Sequence, residues 1–178
     1  MQDIYDIDVV KLKISNSLIE LILKRDYHSI SIIDIMKDAG MSRSTFYRHF
    51  SSKDDVINYC FDGIVLRFYH SIPSDFSTLE GYREAVKHVF RTIKHHKRIL
   101  KAIIDSGCAY IIQNYIDEQY AKGFQKNGEP STLLPYIYSG ALGNVIIRWV
   151  KADCETSIDE VADAIVDTTH PAIYGGKY

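Results

Sequence analysis

The chain has 178 residues, 46% of them hydrophobic, and a formal net charge of -2 at pH 7. This length supports one good core or two small ones sharing helices, and the composition excludes an intrinsically disordered chain. The opening MQDIYDIDVVKLK is acidic and carries no apolar segment behind a basic stub, so no signal peptide is expected and the expected compartment is the cytoplasm. Cys60, Cys108 and Cys154 are widely spaced without a CxxC pair, which argues against a disulfide framework or a zinc knuckle and reads as core thiols.

The charge is segregated. Between Val9 and Lys53 eight bases stand against four acids, whereas Asp153 to Asp167 holds six acids and no base. A local basic field attracts a polyanion even when the whole chain is acidic.

Helix signals recur along the chain and strand signals hardly appear, which predicts an all-α fold. Val10, Ile14, Leu18, Leu21 and Ile22 recur at three- and four-residue spacing, giving a first amphipathic helix that ends near Lys24 and Arg25. Ser31 can N-cap a short second helix with an apolar stripe of Ile32, Ile35, Met36 and Ala39, and Gly40 supplies a left-handed stop. Ser42 then caps a third helix. Ser52 and Asp55 form a capping-box pattern that opens a longer fourth helix through Val56, Cys60, Ile64 and Phe68, ended by Pro73. Further helices are predicted at Leu79 to Lys94, Lys97 to Ser106, Ala109 to Gln125, Thr132 to Ala152 and Ile158 to Thr168. Gly107, KNGEP and DCETS punctuate them, and HPAIYGGKY reads as an irregular tail. The apolar run from Leu133 to Val150 has bilayer length, but Pro135, Ser139, Asn144 and Arg148 favour a helix buried in a protein interface.

The second and third helices, joined by a glycine turn, form a helix-turn-helix, in which the third helix enters the DNA major groove. Phe46 and Phe50 face the core of this small domain, leaving Arg43, Ser44, Thr45, Tyr47, Arg48 and His49 outward. Taken singly, each of these is also what a solvated helix face carries. Arg43 is the strongest reader, because a guanidinium pairs bidentately with guanine O6 and N7.

From Ser31 to Asp55 the string SIIDIMKDAGMSRSTFYRHFSSKDD resembles the DNA-binding signature of the TetR/AcrR transcriptional regulators. The resemblance implies nine helices, a DNA-binding domain over residues 1–52, and a regulatory and dimerisation domain over 53–178. It also implies a homodimer on a near-palindromic double-stranded operator, usually a repressor relieved by a small molecule. Carried over by position, Arg43, Ser44 and Thr45 face bases, and Tyr47 touches phosphate and a thymine methyl. His49 and Lys53 contact phosphate, and Ser31 and Ser42 cap helices whose N-termini can hold phosphates. One departure is Ile33, which stands where many members carry Arg or another polar residue.

The ending YIYSGALGNVIIRWVKADCETSIDEVADAI loosely resembles a Gram-positive group that includes regulators of dihydroxyacetone kinase operons, some of whose relatives are activators. The dimer is expected through the last two helices. Ser139, Gly140 and Gly143 would let a partner helix approach closely, with Leu142 and Ile146 beside them and Val161 and Ile165 in the stripe of the final helix. An effector pocket of unknown ligand is expected between the fourth and seventh helices, around Phe68, Tyr82, Phe90, Cys108, Tyr110 and Asn114. Core packing explains those residues too. His88, His95 and His96 match no metal-ligand spacing, no cofactor is implied, and no recognisable catalytic constellation supports an enzyme. A DNA-associated adaptor without an effector is the remaining alternative.

Overall fold

The computed structural model describes residues 8–71, 78–126 and 133–174, and among these the regular structure is entirely helical. The helices are α1 (Val9–Ile22), α2 (Ile32–Asp38), α3 (Arg43–His49), α4 (Lys53–Ser71), α5 (Leu79–His95), α6 (Lys97–Asp105), α7 (Ala109–Lys126), α8 (Leu134–Lys151) and α9 (Ile158–Tyr174). A 3-10 turn at Tyr27–Ser29 joins α1 to α2. The punctuation at Pro73 and at residues 127–130 lies outside the described residues.

Local chemistry sets these boundaries. Asp8 opens α1 by accepting from the backbone N–H groups of Val10 and Lys11, each at 3.0 Å. Ser31 and Asp34 form a reciprocal capping box at α2, with Ser31 N donating to Asp34 Oδ2 at 2.9 Å and Asp34 N donating to Ser31 Oγ at 3.1 Å. Gly40 stops α2 at φ +68°, a conformation that costs a side-chain-bearing residue more. The Ser52 and Asp55 box opens α4 through two bonds of 3.1 Å, and Ser157 and Glu160 repeat the device at α9. Two predictions are corrected. Ser42 occupies the N-cap position of α3 but makes no backbone cap, its hydroxyl pairing instead with Ser44 Oγ and Thr45 Oγ1 at 2.9 Å each. The final helix runs through Pro171 to Tyr174, so the breaker in HPAIYGGKY does not end it. The preceding turn is held by side chains, since the Thr168 and Thr169 hydroxyls donate back to the Ala164 and Ile165 carbonyls at 2.8 Å each.

One apolar cluster runs through the whole molecule. It begins with Ile14 and Leu18 of α1, Ile35 and Met36 of α2, and Phe46 and Phe50 of α3, and continues through Val56 and Ile57 of α4 to Phe90, Ile103, Ile112, Trp149 and Val166. Fully burying such a side chain stabilises by roughly 1.5–3 kcal/mol. The three N-terminal helices therefore share their core with the rest of the chain. In the C-terminal part α7 packs along α8 and α5 along α9, while α6 lies between α1 and α8. Phe90 meets Trp149 edge to face at 5.1 Å, and Trp149 Nε1 donates to the Thr156 carbonyl at 2.9 Å. That bond closes the tight α8–α9 connection, where Asp153 and Cys154 hold left-handed backbones at φ 53° and 58°.

The α7–α8 seam corrects the residues expected at the dimer interface. Ser139 is fully buried within the protomer and donates to Asp117 Oδ1. Gln113 Nε2 donates to the same carboxylate oxygen at 2.8 Å and to the Ser139 carbonyl at 3.2 Å. A Cβ at Gly143 would collide with the Gln113 amide, so this glycine makes room for a side chain of its own protomer. Ile146 and Val161 are buried as well, and Leu142 and Ile165 are half-buried against the same core. A Cβ at Gly140 would meet open space. The outward face of α8 carries Tyr136, Ile137 and Val145, which are 54%, 62% and 36% exposed.

Burial raises all three thiols above the ordinary cysteine range, Cys60 to about 11. No helix of the described residues is long and apolar enough to cross a membrane.

Candidate nucleic-acid interface and effector cavity

The seven-residue helix α3 divides cleanly by face. Phe46 is fully buried and Phe50, just past the helix, nearly so, and their rings meet at 5.9 Å. This pair anchors α3 on the core. Arg43, Ser44, Tyr47 and Arg48 are exposed, while Thr45 and His49 are half-buried at the edges. The outward residues touch one another before any ligand arrives. Arg43 lies 5.6 Å over the Tyr47 ring and donates to its hydroxyl at 3.3 Å, and Arg48 donates to Thr45 Oγ1 at 3.4 Å. Stacking against Tyr47 restricts the arginine while leaving its charge in water. On α2, Ile33 is exposed, as is Lys37 one turn on.

His49 Nδ1 lies 3.1 Å from Asp8 Oδ2, tying the end of α3 to the start of α1. The Asp8 carboxyl is held below its ordinary value, chiefly by the Lys11 backbone N–H and then by the charge of His49. Asp8 had no signal in the sequence beyond its place before the first helix.

Lys53 is the expected phosphate contact that the structure places elsewhere. Its Nζ donates to the carbonyls of Tyr27 and Ile30 at 2.7 Å each and sits 4.2 Å from the Tyr27 ring centroid. The 3-10 turn leaves those carbonyls facing inward, and the ammonium closes them. Two of its three donors are thus occupied within the protein, and burial lowers its pKa. Next to it, Asp54 receives hydroxyl bonds from Tyr27 and from Tyr110, the latter at 2.8 Å.

A cavity of about 200 Å³ lies inside the C-terminal part. Its walls are mostly aliphatic, including Ile64 of α4, Val89 of α5, Ile112 and Ile116 of α7 and Leu142 of α8, with His96, Tyr115 and Gln119 as polar points. None of the five expected pocket residues with described side chains, Tyr82, Phe90, Cys108, Tyr110 and Asn114, lines it. Tyr82 and Phe90 border a separate groove between α5, α8 and α9, and Phe90 is filled in against Trp149. Cys108 is buried against His28, with Sγ 3.4 Å from Nε2, while Tyr110 reaches Asp54 and Asn114 is exposed. The Phe68 side chain lies outside the described residues. Among the described residues no three His, Cys, Asp or Glu side chains converge as a metal site would require.

A capped α2, a left-handed glycine and an anchored α3 with a basic, hydroxyl-rich outer face define a helix-turn-helix protein. Residues 16–60 match the family model for bacterial regulatory proteins of the tetR family. The matched stretch runs past the third helix into the first two turns of α4, taking in Lys53 and Asp54. The HTH-type transcriptional regulator EthR of Mycobacterium tuberculosis is 32% identical over 88 residues, a match spanning 46% of this chain and 41% of EthR. Among solved structures, Lin0861 from Listeria innocua superposes with a TM-score of 0.73 at 17% identity, covering 95% of this chain and 96% of that one. The dihydroxyacetone kinase operon activator DhaS gives a TM-score of 0.55 at 17% identity, over 96% of this chain and 99% of its own. These likenesses establish the shared fold.

Lys53→Met is expected to lower stability in urea unfolding by about 1–3 kcal/mol, the scale of lost bonds from a charged donor. The salt dependence of DNA binding should keep its slope, because no phosphate contact is removed.

Proposed function

We propose that the chain is a DNA-binding transcriptional regulator acting in the cytoplasm, a homodimer on a near-palindromic operator with a mainly apolar small molecule as effector. The observation that carries this is the outer face of α3, where Arg43, Ser44, Tyr47 and Arg48 stand exposed on a helix locked from behind by Phe46 and Phe50. Arg43 is assigned the direct base contact and Ser44 and Thr45 weaker ones. Tyr47, Arg48, His49 and the backbone N–H groups at the helix starts where Ser31 and Ser42 hold the N-cap positions are assigned the DNA backbone. Repression relieved by the effector is the primary reading. Activation is the second, favoured by the fold shared with DhaS, an operon activator by name.

Operator DNA can be obtained by selection from random duplexes or from the protein's own upstream region. Arg43→Ala should cost about 1–3 kcal/mol of discrimination at one guanine while reducing non-specific binding far less. Equal sequence preference in wild type and variant would place the reading face elsewhere.

The dimer is assigned to the outward face of α8 with the exposed Ala164 and Thr168 of α9, because Ser139, Gly143 and Ile146 are already used inside the protomer. Self-complementary apolar faces on two helices per chain make an isologous four-helix contact. Ile137→Glu with Val145→Glu is expected to give folded monomers in sedimentation velocity, and a persisting dimer would refute the face.

For the effector, the cavity between α4, α5, α7 and α8 is small, aliphatic and sparsely polar, which suits a compact apolar ligand fixed by one or two hydrogen bonds. Uncharged apolar compounds screened by thermal shift should include stabilisers, by about 2.7 kcal/mol at a hundredfold excess over Kd. Ile116→Trp should abolish their effect and spare operator binding. Shifts that survive in this variant would rule the cavity out as their site.

A further inference from the structure

Two phenols from distant parts of the chain share one carboxylate. Tyr27, buried in the 3-10 turn ahead of the helix-turn-helix, donates to Asp54 Oδ1, and Tyr110, 46% exposed on the first turn of α7, donates to Asp54 Oδ2 at 2.8 Å. The connection between α6 and α7 makes a second contact with that segment, Tyr27 N donating to Ser106 Oγ at 3.2 Å. One and a half turns further along α7, Tyr115 donates to Asp62 Oδ1 at 2.9 Å, and Tyr115 is also a wall of the effector cavity. Helix α7 is therefore bonded to α4 twice by the same chemistry, once at the cavity and once where α4 meets the N-terminal helices.

From this arrangement we propose that Asp54 and Tyr110 are a positioning pair, which fixes the orientation of the DNA-reading helices on the C-terminal domain and carries displacements of α7 at the cavity to α3. The proposal rests on the regulator reading above. Lys53, bonded to the carbonyls of Tyr27 and Ile30, makes the turn and the start of α4 one rigid piece, so a force on Asp54 moves the turn with it. Hydrogen bonding to Asp54 pushes the Tyr110 hydroxyl up to about 12, in keeping with its role as the donor. An exposed phenol orders itself on a carboxylate only at an entropic cost, and its bond adds little to global stability. Its effect lies in restricting where the N-terminal helices can sit.

The test uses the full-length protein and its selected operator. Tyr110→Phe deletes one hydroxyl remote from α3 and should weaken operator binding about fivefold, the lower end of typical site-to-site coupling. The slope of affinity against salt should stay unchanged and the urea midpoint nearly so. Asp54→Asn, which also disturbs the Tyr27 bond, should weaken binding at least as much, and the double variant no more than Asp54→Asn alone, since the Tyr110 hydroxyl acts only through that carboxylate. A merely structural bond would lower the urea midpoint and leave affinity alone. Operator affinity within twofold of wild type for both single variants would overturn the proposal. In the free protein, Tyr110→Phe should speed amide exchange across Tyr27 to Ile30, and unchanged exchange there overturns it independently of DNA. Should the wild type bind no operator while exchange does respond, the regulator reading fails and the pair stands as a joint between domains.

Discussion

The ammonium of Lys53 closed over the carbonyls of Tyr27 and Ile30 is the joint on which the N-terminal helices hang. The Ile30 carbonyl follows the 3-10 turn and the Tyr27 carbonyl accepts only the Ile30 N–H at 3.2 Å within it, and burying such acceptors underpaired is costly. By answering them from the first residue of α4, the chain couples the turn ahead of α2 to the longest helix of the fold. The continuous apolar cluster from Ile14 to Val166 then leaves the small N-terminal unit no core of its own. The N-terminal helices are thus tied to the rest of the chain both by shared apolar packing and by the Lys53 ammonium.

Much of this was legible in the sequence because it depends on near neighbours. Apolar spacing located the helices to within one or two residues at most ends, and Ser31, Gly40 and the Ser52–Asp55 box mark their boundaries as written. Phe46 and Phe50 fall inward by periodicity alone. Lys53 was not legible in the same way, because a lysine after two serines looks solvated and only the fold brings the Tyr27 and Ile30 carbonyls to it.

The C-terminal half resisted for a different reason. Helix α8 is apolar on nearly every side, so its pattern does not say which face turns inward. The choice is made by the amide of Gln113, which fits only over the bare Cα of Gly143 and beside Asp117 and Ser139. Small residues that suggest a partner helix instead receive a side chain of the same protomer. The cavity was equally hidden, since a void is defined by what fails to meet between helices. An aromatic ring at a core-like position can simply fill space, as Phe90 does, whereas the void is bounded by branched aliphatics such as Ile64, Val89 and Ile116 together with Phe61, Tyr115 and Tyr120.

The burial of the natural thiols has a practical consequence. With its pKa near 11, Cys60 is ionised to only about one part in ten thousand at neutral pH, and Cys108 and Cys154 are shifted in the same direction. Electrophiles and mild oxidants attack the thiolate, so these thiols react more slowly with them than a solvated cysteine does. A cysteine introduced on the solvent side of α2 or α7 would be by far its fastest-reacting thiol. A fluorophore or spin label can therefore be attached at one chosen position without first removing the chain's own cysteines.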